Sequence, residues 1–251
     1  MNRETTERLR KLFEGASSSL ENTDPEWVEI AANFSQNETV SVSKLTEKEQ
    51  MLCILSALLG CQGMGEFRNM LLAALNAGID PIAIKEVIYQ ATAYLGIGRT
   101  YDFLVAANQI MEQQGIDLPL TAQATTSEKT RFGDGLTKQM ELFGEGMAKR
   151  QTDGPVLRRN INHWLADNCF GDYYTRNGLN DREREMITFC FLLAQGGCEN
   201  QLRGHTAGNF GVGNDREKLY SVVEQCMPYI GYPRSLNAMN IIDEVSEAME
   251  K

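Results

Sequence analysis

The sequence predicts an all-α protein built as two tandem copies of one helical unit, and three observations predict it. First, the chain matches itself when shifted by 135 positions. Arg68 falls on Arg203, Gly78 on Gly213, Asp80 on Asp215, Val87 on Val222, Gln90 on Gln225, Tyr94 on Tyr229, Gly96 on Gly231 and Arg99 on Arg234. Upstream, with the register one residue shorter, Leu45 falls on Leu179 and Glu49 on Glu183. So long a period excludes a solenoid and suits a duplicated domain. Second, helix start and stop residues recur in the same order in both halves. Third, no stretch sustains the apolar–polar alternation of a strand.

The elements follow in chain order. The charged N-terminus, MNRETTERLRKLFEG, has no apolar signal core and reads as an ordinary helix. LTEKEQMLCILSALLG opens with a Thr-x-x-Glu box at Thr46 and Glu49, whose side chains satisfy donors left free at a helix start. A second helix covers Phe67 to Asn76 and stops at Gly78. Asp80-Pro81 caps a third, which carries Ile84, Val87, Ile88 and Ala91 on one face and ends at Gly96. Arg99 to Gln113 makes a fourth. The polar, small-residue segment DLPLTAQATTSEKT (117–130) is the linker, which divides the chain into units 1–118 and 119–251. The second unit repeats the order: Asn180 to Gln195, Glu199 to Phe210, Asp215 to Ile230 and Arg234 to Glu250. NFGVGN is then a helix-to-helix turn rather than a phosphate loop, since no strand precedes it. Trp27 and Trp164 fall on apolar helical faces and read as core, and His163 reads as structural.

Composition narrows the function. The 251 residues carry a net charge of −10, which argues against nucleic-acid or anionic-membrane binding and leaves a small molecule held where arginines reverse the local field. No apolar run is long enough to cross a bilayer, so a cytoplasmic home is expected. The six cysteines (Cys53, Cys61, Cys169, Cys190, Cys198, Cys226) form no CxxC pair and lie mostly in apolar stretches, as small buried residues do. Two histidines, His163 and His205, leave little material for a metal site.

From about residue 40 onward the chain resembles the carboxymuconolactone decarboxylase family, which includes the alkylhydroperoxidase D branch. The resemblance rests on DNCFGDYYTRNGL, REMITFCFLLAQGG, LRGHTAGNFGVG and YIGYPRSLNA in the second unit, and on ALNAGIDPIAIKEVIYQATAYLGIGR in the first. It implies an all-α alkylhydroperoxidase D-like fold in both units. It also implies assembly through shared faces, so that a tandem chain would form a homo-oligomer, a trimer arranged as a pseudo-hexameric ring.

On that resemblance the family's signature histidine lands on His205, and its counterpart in the first unit is Met70, which cannot exchange protons. Cys198, Gln201, Leu202 and His205 are spaced i, i+3, i+4, i+7 on one helical face. Gln201 is one turn from His205 and within hydrogen-bonding reach. Cys198 is two turns away, about 10 Å along the axis. The peroxidase branch places cysteines seven and four residues before the histidine. Here they are Cys198 and Gln201, so the usual dithiol relay is lost, and Cys198 reads either as a packed small residue or as a one-cysteine peroxidase using an external thiol. The decarboxylase branch places a glutamate four before the histidine, where this chain has Gln201, while the first unit keeps Glu66 without its histidine. The family's Arg-Glu pair is Arg184-Glu185. Glu185 either orients His205 or belongs to a solvated charge cluster.

The implied reaction needs no metal or organic cofactor: His205 would return a proton to carbon after carbon dioxide leaves. Arg184, Arg203 and Arg234, with Arg176, are the candidates for holding a carboxylate, and Gln201 for contacting substrate. Tyr94 and Tyr229 read as packed aromatics with the hydroxyl at a rim. Two alternatives stand beside the decarboxylase reading: a thiol-dependent peroxidase or reductase on Cys198, and a non-catalytic oligomeric binding or scaffold protein. His205 as a satisfied core histidine belongs to the last.

Overall fold

A computed structural model describes residues 3–15, 20–153 and 155–250, and its regular elements are helical throughout. Of the expected N-terminal helix, Met1 and Asn2 lie outside the described residues. The helices, in chain order, are α1 (Arg3–Leu12), α2 (Leu20–Thr23), α3 (Pro25–Asn33), α4 (Thr39–Val42), α5 (Glu47–Gly60), α6 (Met64–Asn76), α7 (Pro81–Leu95), α8 (Ile97–Gln113), α9 (Arg131–Phe143), α10 (Gly146–Thr152), α11 (Arg159–Trp164), α12 (Asp181–Gln195), α13 (Glu199–Gly211), α14 (Arg216–Ile230) and α15 (Tyr232–Met249). Helices α5–α8 and α12–α15 are the repeated set. No helix among the described residues is long and apolar enough to cross a membrane.

The capping chemistry does what its residues dictate. Thr46 and Glu49 form a reciprocal capping box on α5, and Asn180 and Glu183 form its counterpart on α12. Asp80 caps α7 and Asp215 caps α14. Both of those helices end at a glycine with positive φ, Gly96 and Gly231, a conformation that side chains with a Cβ resist. Three helices begin earlier than their apolar pattern suggests, α6 at Met64, α8 at Ile97 and α15 at Tyr232, because each follows its glycine directly.

The two repeats share one hydrophobic core. At its centre α5 and α12 are buried on nearly every side, from Gln50 to Gly60 and from Arg184 to Ala194. They meet at equivalent positions, Gly60 against Ala194, so closely that a Cβ on Gly60 would lie 2.7 Å from the Ala194 Cβ. All six cysteines are free thiols, and Cys190 and Cys226 face each other there with sulfurs 3.8 Å apart.

Helix α9 adds a second layer, packed on a π-helical stretch, Leu165–Tyr174, which the sequence pattern did not signal. Gly135 and Gly171 allow that contact, since a Cβ on Gly135 would fall 1.9 Å from the Ala166 carbonyl oxygen. The linker runs along this layer, where Thr126 Oγ1 donates to the Gly171 carbonyl and Asn177 N to the Gln123 carbonyl. Trp27 and Trp164, expected in the core, are instead 61% and 58% exposed. Their short helices, α3 and α11, lie on the outside of the bundle, so an apolar face there finds no neighbour to bury it.

A matched pair of glutamines shows how the copies diverged. Gln90 is fully buried and fully bonded: its amide nitrogen donates to the Arg184 carbonyl (2.9 Å) and to Thr188 Oγ1 (2.8 Å), and its oxygen accepts from Arg184 Nη1 (2.7 Å). Its counterpart Gln225 is just as buried, yet neither amide atom has a partner among the described residues. The matched caps of α5 and α12 put Gln50 opposite Arg184 and Ile54 opposite Thr188, so Gln225 has lost both. Gln225→Met is therefore expected to raise stability by about 1 kcal/mol and Gln90→Met to lower it by about 2 kcal/mol. Denaturant midpoints of the two variants, which should move in opposite directions, check this.

Candidate functional site

The residues that could do chemistry gather where α12, α13, α7 and the π-helical stretch converge. Glu185, in the first turns of α12, is completely buried. His205, midway along α13, turns its Nδ1 to Glu185 Oε2 at 2.9 Å. Asn209 fixes the two backbones that carry this pair, donating to the Glu185 carbonyl (2.9 Å) and the His205 carbonyl (2.7 Å). Gly208 leaves room for the carboxylate: a Cβ there would sit 2.5 Å from Glu185 Oε2. A buried carboxylate against Nδ1 sets the tautomer with the proton on Nδ1 and leaves Nε2 as the reactive nitrogen.

Three side chains that the sequence did not single out for the site complete it. Tyr94, from α7 of the first repeat, brings its hydroxyl 3.4 Å from His205 Nε2 and its ring edge-on to the imidazole, with centroids 5.4 Å apart. Tyr174 donates to Glu185 Oε1 (2.9 Å) and lies 2.7 Å from Thr188 Oγ1 and 3.0 Å from the Tyr94 hydroxyl. Phe143, at the end of α9, covers the other side of the imidazole at 5.3 Å and stacks edge-on to Phe170. The His205 side chain keeps 12% of its surface exposed, with Tyr94 and Phe143 packed against the imidazole. Burial, followed by the neighbouring charges, raises the Tyr94 and Tyr174 hydroxyls well above the usual phenol range, so both stay protonated. Burial pushes the adjacent Cys169 thiol up to about 12. The Tyr94–Tyr229 match was visible in the sequence. That Tyr94 crosses into the other repeat's site was not.

The other predicted residues lie elsewhere. Gln201 is exposed, and the ring nitrogens of His205 turn to Glu185 and Tyr94 instead. Cys198 is the N-cap of α13, and its thiol donates to the Leu192 carbonyl at 3.3 Å. Burial and the charge of Glu199 push that thiol up, opposite to what a peroxidatic cysteine needs. Cys198 opens onto a separate cavity of about 460 Å³, lined also by Gln195, Glu199, Arg234 and Asn237.

The arginines, expected to hold a carboxylate, are committed to protein partners. Arg184 is fully buried on Glu86 (3.1 Å), Gln90 (2.7 Å) and the Arg176 and Asn177 carbonyls. Arg176 also bonds Glu86, at 3.0 Å. Arg203 pairs at the surface with Glu244, and Arg234 donates to the Ala194 carbonyl. Each is held because a carboxylate or carbonyl from another element reaches it first.

The equivalent place in the first repeat is chemically silent. Met70 is buried there, with Gln36 Nε2 4.0 Å and the Tyr229 hydroxyl 3.8 Å from its sulfur. In the same cap register Met51 and Ile54 replace Glu185 and Thr188. Glu66 belongs to this side: its charge, after burial, is the next cause that raises the Tyr229 hydroxyl, and its carboxylate accepts from Asn69 at 3.0 Å.

Comparison with known proteins finds three resemblances. The sequence model of the carboxymuconolactone decarboxylase family matches residues 160–244. The 4-carboxymuconolactone decarboxylase of Acinetobacter baylyi is 28% identical over 120 residues, which cover 47% of this chain and 89% of that protein. A crystal structure from Burkholderia xenovorans, titled for a gamma-carboxymuconolactone decarboxylase subunit, superposes with a TM-score of 0.56 at 15% identity. That likeness covers 98% of this chain and 97% of the other, and shows the fold across both repeats. The stretch that matches the carboxymuconolactone decarboxylase family model contains both Glu185 and His205.

Proposed function

We propose that the His205–Glu185 site catalyses decarboxylation, or a closely related proton transfer, on a small unsaturated lactone or carbonyl acid. The observation that carries this reading is a fully buried carboxylate 2.9 Å from the Nδ1 of a partly exposed histidine whose other nitrogen lies 3.4 Å from the Tyr94 hydroxyl. When the carbon–carboxylate bond breaks, its electron pair delocalises onto the conjugated carbonyl oxygen, and carbon must then accept a proton. An imidazole near neutral pH suits that delivery, and the buried Glu185 stabilises the imidazolium. Tyr94 and Phe143, both edge-on to the imidazole, would be the aromatic neighbours of a planar ring held against His205. Because the arginines are engaged elsewhere, the reading favours substrates whose one carboxylate is the one that leaves. The first unit (1–118) serves in this reading as a structural partner for the second (119–251). Matching exposed apolar residues, Ile97 and Tyr101 on α8 with Tyr232 and Leu236 on α15, support self-association of the chain.

The test is carbon dioxide release from 4-carboxymuconolactone and from lactone acids lacking its second carboxylate, with His205→Ala alongside. The variant should lose about 10²–10⁴-fold in kcat while keeping its helical spectrum. Full turnover by a folded His205→Ala would overturn the proposal.

A further inference from the structure

We infer that Tyr94 is a positioning residue for the proton on His205, so that the site is a composite of the two repeats. The inference rests on the reading of His205 as the proton carrier and deepens it. The hydrogen bonds around Glu185 run in one direction. Gln90 Nε2 donates to Thr188 Oγ1 at 2.8 Å, which leaves the Thr188 proton free for Tyr174 at 2.7 Å. Tyr174 then gives its one proton to Glu185 Oε1 at 2.9 Å, the charged and therefore stronger acceptor. Every proton in that chain has a fixed destination.

The Tyr94 hydroxyl proton has two. It can point at Tyr174 oxygen, 3.0 Å away, or at His205 Nε2, 3.4 Å away. When Nε2 is bare, Tyr94 donates to it. When Nε2 carries a proton, Tyr94 oxygen accepts that proton and donates its own to Tyr174. The proton that His205 gives up leaves from Nε2, because Nδ1 is tied to Glu185. A rotation of one O–H bond thus serves both protonation states of the imidazole with no heavy atom moving. The titratable groups around this hydroxyl are His205, Glu185, Tyr174 and Cys169, and no lysine or arginine bonds to any of them among the described residues.

The first repeat supplies a matched control. Tyr229 holds the equivalent position but meets Met70 and Gln36 (3.0 Å to Gln36 Nε2), where no proton is exchanged. Tyr94→Phe removes only the hydroxyl. In steady-state assays on the full chain it should lower kcat by about 10–100-fold with KM little changed and displace the pH profile of kcat/KM. Tyr229→Phe should leave both unaltered. A readout independent of substrate is available because the chain has two histidines: with ¹⁵N-labelled imidazoles, the Nε2 resonance of His205 should shift in Tyr94→Phe and stay in place in Tyr229→Phe. An unmoved Nε2 resonance, or a superimposable pH profile, would overturn the inference. If His205→Ala keeps full turnover, the catalytic reading fails, while the Nε2 resonance still decides whether Tyr94 holds the imidazole proton.

Discussion

Replacing Glu86 by alanine is expected to destabilise the protein by about 3–5 kcal/mol. Glu86, on α7 of the first repeat, is 1% exposed and receives Arg184 Nη2 at 3.1 Å and Arg176 Nε at 3.0 Å, both from the second repeat. Arg184 is itself fully buried. Without Glu86 its guanidinium would keep Gln90 and two backbone carbonyls but no opposing charge in a low-dielectric interior. The turn above leaves nothing to fill the gap. Gly178, at φ +91°, lies so close that a Cβ would come within 2.9 Å of Glu86 Cγ, and only glycine adopts that backbone without strain. For a chain of this size the loss corresponds to a fall in Tm of roughly 10 °C or more. Glu86→Gln, which keeps an acceptor but loses the charge, should fall between wild type and Glu86→Ala. A double variant, Glu86→Met with Arg184→Met, should recover part of the loss because no charge is then stranded. Thermal melts of the three proteins decide the matter. An alanine variant melting within two or three degrees of wild type would mean that this ion cluster does not hold the repeats together.

Glu185→Gln should cut kcat/KM by about 10²–10⁴-fold while leaving the melting temperature nearly unchanged. The substitution is close to isosteric, and the amide oxygen can still accept from Tyr174. It loses the negative charge that stabilises an imidazolium at His205. If its NH₂ group turns to Nδ1, the neutral imidazole must carry its proton on Nε2, so the reactive nitrogen is no longer bare and cannot take up a proton. Buried geometry survives, and proton transfer does not. Steady-state kinetics beside a thermal melt separate the two effects. Full activity in Glu185→Gln would mean that the 2.9 Å contact with His205 is structural.

The family match and the site geometry bear on each other. The matched stretch, 160–244, contributes Glu185, His205, Tyr174 and Asn209, but Tyr94 lies outside it. A site read from the matched residues alone would therefore lack the hydroxyl nearest Nε2.

The chain by itself determined its helices, their caps and the order in which they recur. Capping boxes at Thr46 and Asn180, proline after Asp80, and glycines at helix ends act within a few residues, so their spacing is readable without knowing the fold. His205 and Glu185 were legible only through the family resemblance, which implies a signature histidine on one helix and an Arg-Glu pair at the start of another. What the sequence left open was long-range and electrostatic. Whether Glu185 meets His205 or solvent depends on how α12 and α13 pack, and Asn209 settles that by bonding both backbones. The arginines looked equally free in the sequence, yet Arg184 is claimed by a carboxylate 98 positions earlier, and Tyr94 reaches His205 across 111 positions. Only the tertiary structure decided these pairings, because a charge or hydroxyl is satisfied by whichever partner packing brings within 3 Å, and the two repeats pack by exchanging side chains.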